Sequence, residues 1–279
     1  MRLVTFRDGD RTRAGALRDD GVVALGDAAD IGELLVAGRS PMDWEELAAA
    51  GSPRPLEGVE LLRPVLEPGA VFCVGLNYRS HILEMGRELP EHPTLFSKLP
   101  RALTDPDAVI ELPAASDKVD YEAEIALVIG SGGRNIPRER AWDAVAGLTL
   151  LNDTSMRDYQ RRTIQWFAGK TWEAGTPVGP AVLTSDEVDP AAIEIVLRVN
   201  GSERQRGAMS DLVFDVADLV ADLSTIVTLR PGDLIATGTP GGVGAAMEPQ
   251  SFLSDGDVVE IEVPAIGILR NRFARSGGA

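Results

Sequence analysis

The chain has 279 residues, enough for one large domain, or a large domain with a small appendage, around a substantial core. Forty-three acidic residues against 27 basic ones leave a formal charge of −16. That balance argues against a nucleic-acid or anionic-membrane surface, because both need a basic face, and leaves metal cations and small ligands as partners.

The start, MRLVTFRDGD, carries Arg2, Arg7 and Asp8 where a signal peptide would be apolar, and no later run approaches about 18 apolar residues. A cytoplasmic protein is expected. Short strand-like runs (RLVTF, GVVAL) alternate with turn signals (RDGD, RDDG) and lead into a helical piece around MDWEELAAAG, with no catalytic constellation. The Pro/Gly-rich connector GSPRPLEGVELLRPVLEPGA follows. A boundary near residue 66 divides the chain into a small N-terminal domain, 1–66, and a larger one, 67–279.

Beyond it, strands are predicted at VFCVG, EAEIALVIG, VAGLTLLND, AIEIVLRVNG, DLIATG and DVVEIEV, and helices near SHILEMGREL, RERAWDAV, SMRDYQRRTIQ and VADLVADLSTIV. Strands outnumber helices and rarely alternate with them, which predicts an α+β, β-rich fold with a mixed, mainly antiparallel architecture. The single cysteine, Cys73, cannot form an internal disulfide and reads as a packing residue of VFCVG.

Four stretches carry chemistry. In DYEAEIALVIG, alternation places Asp120, Glu122 and Glu124 on one strand face, and Asp153 follows another apolar run. Unpaired buried carboxylates take up a proton or a cation. Oxygen-only ligands suit magnesium or manganese, and three carboxylates leave positions open for water and substrate. The competing reading is an exposed strand end decorated with acids. In NYRSHILEMG, a helix capped by Ser80 puts His81 and Glu84 at i, i+3, where a carboxylate would orient an imidazole as a base. The other histidine, His92, lies between prolines and reads as a loop residue. In FAGKTWE, the Gly169-Lys170-Thr171 run lacks the glycine a phosphate loop needs, since Ile164 occupies that place. Lys170 remains either a point charge for an enolate or carboxylate, or a surface lysine. In PGDLIATGTPGGVG, the glycines let backbone amides approach an anion, or simply form a tight turn.

Taken together and in order, VGLNYRSHILEMG, LFSK, DYEAEIALVIG, RNIP, VAGLTLLND, MRDYQ, GKTWE, VNG, GDLIATGTPGGVG and GDVVEIEVPAIGILRN resemble the fumarylacetoacetate hydrolase family over about residues 67–273. The resemblance implies that family's mixed β-sandwich or roll catalytic domain, with a variable small α+β domain before it and a homodimeric state. It further implies magnesium or manganese ligated by Glu122, Glu124 and Asp153, a water-activating dyad of His81 and Glu84, and Lys170 at the reacting centre. Lys98, Arg157, Gln160 and Thr239 stand where family members line the substrate pocket. Leu99, Pro100 and Arg101 after the LFSK lysine, and Trp172 and Glu173 in GKTWE, depart from the usual pattern, so the substrate is less defined than the chemistry. The function expected is hydrolysis of a C–C bond in an acylpyruvate-type 2-oxo acid through an enolate. An oxaloacetate-type decarboxylase or a hydroxydienedioate isomerase is the alternative, and a non-catalytic oxo-acid-binding protein is the third reading.

Overall fold

Every residue of the strands Ala123–Ile129 and Val145–Asn152 is buried, as near-continuous apolar sequence requires of strands covered on both faces. The computed structural model describes residues 1–38, 41–84 and 86–275. These two strands pair antiparallel, Ala123 opposite Asn152 through Leu127 opposite Leu148. On the far side of Ala123–Ile129 runs Leu234–Ala236, antiparallel, and beyond it Val71–Gly75 and Thr94–Lys98. Outside Val145–Asn152 lies Thr176–Thr184. The N-terminal strands continue the same sheet, because Arg2–Asp8 pairs with Thr176–Thr184, and Arg11–Arg18 and Gly21–Ala24 follow outward.

A second sheet of five strands runs in the order Ser202–Ala208, Glu194–Val199, Val258–Val263, Gly267–Arg275, Val109–Leu112. Alternation sorts the central strand between two cores. Ile125, Leu127 and Ile129 pack with Ile195, Leu197, Ile261 and Phe273 of the second sheet. Ala126 and Val128 face the other way, toward Ile31, Leu34, Leu35 and Trp44 of the N-terminal helices. Cys73 is buried in that second core, as its apolar run predicts. The fold is the expected β-rich α+β arrangement, with three parallel pairings among mostly antiparallel ones. Ile125 is fully buried, so Ile125→Ala is expected to cost about 2–5 kcal/mol, read as a lower denaturant midpoint at unchanged slope.

The helix predicted at VADLVADLSTIV forms as Val216–Ile226, started by an Asp215–Asp218 capping box. Others are shorter than their sequence patterns. RERAWDAV makes two 3-10 turns, Arg138–Arg140 and Trp142–Ala144, because the chain enters the strand at Val145 directly afterwards. SMRDYQRRTIQ keeps only the turn Arg157–Gln160. The His81 segment is helical over Arg79–Glu84 and stops at Gly86, whose φ of 67° suits the left-handed closing position. No helix among the described residues is long and apolar enough to cross a membrane.

Candidate active site

Strand register builds the site. Because Ala123 lies opposite Asn152, the next residue, Asp153, reaches Glu122, and its N–H donates to the Glu122 carbonyl at 2.8 Å. The strand Leu234–Ala236 delivers Gly238 to the same end, where its N–H donates to Glu124 Oε2 at 2.8 Å. One carboxylate oxygen from each of Glu122, Glu124 and Asp153 thus falls within 4.8 Å of the others. The three side chains are 7 %, 1 % and 0 % exposed, which rules out a solvated strand end.

Three cations brace the acids. Lys170 Nζ lies 2.6 Å from Glu122 Oε2 and 2.6 Å from Asp153 Oδ2, and Lys98 Nζ lies 2.7 Å from Asp153 Oδ1. Arg157 Nη1 lies 2.6 Å from Glu122 Oε1, and its Nε donates to Asp120 at 2.8 Å. Its buried Nη2 has no partner among the described residues. Lys98 also donates to Thr176 Oγ1 at 2.7 Å, so it is a buried brace beneath Asp153.

Asp120 departs from the expected strand face. The chain leaves the main sheet between Asp120 and Ala123, and Asp120 pairs instead with Ser155 in a two-stranded ladder. Its carboxylate accepts from the N–H groups of Gly244 and Ala245 at 2.8 and 2.9 Å, from Tyr121 N–H at 2.9 Å and from Arg157. Those bonds tie the glycine-rich loop to the Glu122 end of the strand, and Asp120 is a brace outside the acidic trio.

The trio's electrostatics differ residue by residue. Burial, reinforced by Asp153 and Glu122, pushes the Glu124 carboxyl well above the usual carboxylate range. Asp153 is pushed up by burial too, but Lys170 and Lys98 outweigh this and hold it at about 2. Burial lowers Lys170, and Asp153 and Glu122 more than reverse that, so its ammonium is held above the ordinary lysine value. The donor set fits a hard divalent cation: it is all oxygen, buried and convergent, and a cation would relieve the strain of ionising Glu124 beside two other acids.

Above the acids opens a cavity of about 470 Å³ lined by Glu122, Glu124, Arg157, Gln160, Lys170, Thr239 and His81 among others. A larger one, about 930 Å³, lies between the Leu35–Trp44 region and Trp142–Ala146 and contains none of these groups, so the chemistry belongs to the smaller. Burial, opposed by Glu84 and Glu122, lowers the His81 pKa and favours the neutral imidazole. Glu84 is exposed. A Cβ on Gly241 would stand 3.2 Å from His81 Nδ1 and 3.4 Å from Glu84 Oε2, so both side chains close on the same glycine, yet no hydrogen bond joins them. Arg157 Nη1 donates to Gln160 Oε1 at 3.0 Å, which turns the Gln160 amide nitrogen away from the arginine. Thr239 Oγ1 accepts from Gln205 Nε2 at 2.8 Å, while Gln205 Oε1 accepts from the Ala123 N–H at 2.9 Å. Gln205 carries no sequence signal, since it lies mid-strand among charged residues of SERQRGA. Asn77 is a second unsignalled anchor: it bonds Thr237 and Phe214 and roots the His81 segment.

The chain has counterparts among known proteins. A family model described as fumarylacetoacetate (FAA) hydrolase C-terminal matches residues 70–274. Oxaloacetate tautomerase fahd2 of Xenopus laevis is 38% identical over 285 residues, covering 97% of this chain and 89% of its own. Oxaloacetate tautomerase YisK of Bacillus subtilis is 41% identical, covering 78% and 74%. Among solved structures, a fumarylacetoacetate hydrolase from Exiguobacterium antarcticum is 36% identical at a TM-score of 0.90, covering 99% of this chain and 100% of its own. A 2-hydroxyhepta-2,4-diene-1,7-dioate isomerase from Mycobacterium marinum is 33% identical at a TM-score of 0.79, with both chains fully covered. The matched stretch takes in the acidic trio, its three cations and His81, and on that ground the chain belongs to the fumarylacetoacetate hydrolase family.

Proposed function

We propose that this protein is a divalent-metal-dependent keto–enol tautomerase of a 2-oxo acid, with magnesium or manganese held by Glu122, Glu124 and Asp153. When bound, such a cation would supply Lewis-acid stabilisation of negative charge developing on the acid's 2-oxo oxygen. The observation that carries the reading is His81: a neutral imidazole on the cavity wall, near Glu84 but not hydrogen-bonded to it. Such a group can move a proton itself. A hydrolase needs the same imidazole oriented to activate a water, and among the described residues no hydrogen bond fixes the ring for that purpose.

In the keto-to-enol direction, His81 takes the proton from the carbon next to the 2-oxo group. The C–H electron pair becomes the C=C bond, and the C=O π pair moves to the 2-oxo oxygen as enolate charge stabilised by the Lys170 ammonium. That oxygen then takes a proton from solvent, and the His81 imidazolium gives its proton to solvent. The reverse returns the proton to carbon. Net charge also suits an anionic substrate. At the acidic end of the cavity, with Glu124 counted as ionised, the carboxylates of Asp120, Glu122, Glu124 and Asp153 face the three cations Lys98, Lys170 and Arg157, a local excess of one negative charge that a divalent cation reverses. The names of the tautomerase relatives agree with this reading and move the expected C–C hydrolysis to second place. That second reading keeps support from the hydrolase structure and from the nearness of His81 and Glu84. A homodimer in the cytoplasm belongs to the same proposal, and light scattering at twice the chain mass would support the dimer.

The test follows the enol absorbance of oxaloacetate with magnesium, beside pyruvate release and acylpyruvate cleavage. Enol–keto conversion is expected to be fastest by at least about a hundredfold, the usual contribution of a positioned acid or base. Faster acylpyruvate cleavage would install the hydrolase reading. The pH dependence follows from His81. The base must be unprotonated and its pKa lies below 6.5, so kcat/KM should stay level near neutrality and fall only as pH drops below that value. A bound cation shifts this limb lower still. An acid limb lying above 6.5, or one unchanged in His81→Ala, would remove the imidazole from the step.

A further inference from the structure

The cavity holds two charges that the proton transfer leaves unused. Arg87 and Arg161 both line it, and among the described residues neither side chain has an ion pair or hydrogen bond. Arg138, Arg198 and Arg275 pair with acids, whereas Arg2, Arg11, Arg79, Arg101, Arg230 and Arg272 likewise have no side-chain ion pair or hydrogen bond among the described residues. Arg87 and Arg161 are exposed as well, and what sets them apart is that they share one cavity with Glu122 and Glu124.

The backbone holds each in place. Gly86 N–H donates to Leu83 O at 2.9 Å and Arg87 N–H to Ile82 O at 3.2 Å, the pair of bonds that closes a helix end around a left-handed glycine. Arg87 is thereby fastened beside the helix that bears His81, and its charge joins burial and Arg157 in keeping that imidazole neutral. Arg161 follows the Arg157–Gln160 turn, with its N–H bonded to Arg157 O at 3.2 Å. Positions 157, 160 and 161 share one side of that turn. The neighbouring Arg162 instead lies over the Tyr159 ring at 3.3 Å, so of two adjacent arginines only one is given to the cavity.

With carboxylates on the cavity floor and free guanidinium groups on its wall, we propose that Arg87 and Arg161 bind the distal carboxylate of a dicarboxylic 2-oxo acid. Its oxo-carboxylate end lies over Glu122 and Glu124. The assignment rests on the 2-oxo-acid reading above and adds what selects among such acids: planar, multiply donating groups suited to a carboxylate.

Calorimetric titration of the magnesium-loaded protein tests it with 3,3-difluorooxaloacetate, which has no hydrogen to lose in enolisation, and with its 4-methyl ester, which keeps the chelating head and lacks the distal charge. The wild-type protein should prefer the diacid by about tenfold or more, the worth of a charge-assisted hydrogen bond. Arg161→Gln and Arg87→Gln should each reduce that preference several-fold and the double variant should abolish it, with affinity for the ester changed less than about twofold. A preference that survives in the double variant, or a wild-type protein that binds the two alike or binds neither, overturns the assignment. If the arginine-dependent preference holds while the wild-type protein fails to speed enol–keto conversion, the tautomerase reading falls and the assignment stands.

Discussion

Replacing Lys170 by methionine is expected to lower kcat by about 10²- to 10³-fold, with KM changed only a few-fold, because a preorganised charge aimed at a developing oxyanion is worth that much in a buried site. The ammonium is 2 % exposed, held between Glu122 and Asp153, and its pKa is raised. It therefore stays charged across the working range and acts as a fixed positive group, never as the base. The prediction separates catalysis from folding. Methionine matches the length of the lysine stem, and the Arg157–Glu122 and Lys98–Asp153 pairs at 2.6 and 2.7 Å remain to neutralise the acids. Because each acid keeps one partner, a stability loss smaller than the roughly 3–5 kcal/mol of an unpaired buried charge, together with a collapsed kcat, is the expected pair of results. Wild-type turnover in Lys170→Met would return the residue to a purely structural role.

Asp153→Asn should damage both properties. It removes one of the three proposed ligands and also strands Lys98, whose one ion-pair partner among the described residues is Asp153, in a fully buried site. Breaking a buried pair by removing one partner costs about 3–5 kcal/mol, since the remaining charge stays desolvated. Combining it with Lys98→Met removes the stranded charge, so the double variant is expected to recover most of the stability and none of the activity. Chemical denaturation of both single variants and the double gives the coupling directly. Additive losses would show that Asp153 and Lys98 do not depend on each other.

The acidic pair was legible because a strand that is apolar from Ile125 to Ile129 has no ordinary place for Glu122 and Glu124, and burial of both shows that they are not surface decoration. Asp153 was legible as an acid at a strand end, but its nearness to Glu122 depends on antiparallel register, which periodicity does not reveal. The same limit explains Asp120. Alternation placed it with the trio, whereas the chain bends away and the carboxylate serves loop N–H groups more than a hundred residues later. The overlong helix at RERAWDAV shows local pattern yielding to the strand that begins at Val145. Gln205, which links Ala123 to Thr239, and Asn77, which roots the His81 segment, act only through distant partners and left no local trace. The extension of the main sheet by Arg2–Asp8 likewise depends on pairing across the whole chain.

Turnover is expected to depend on a divalent cation held by Glu122, Glu124 and Asp153. Equilibrium dialysis against Mn²⁺ with enol–keto activity measured on the same samples tests it most directly, after the protein has been stripped with chelator. One ion per chain is expected, with activity that rises in proportion to occupancy and binding weakened at least about a hundredfold in Glu124→Gln. Full activity in the stripped protein, or Mn²⁺ binding unchanged by Glu124→Gln, would contradict it.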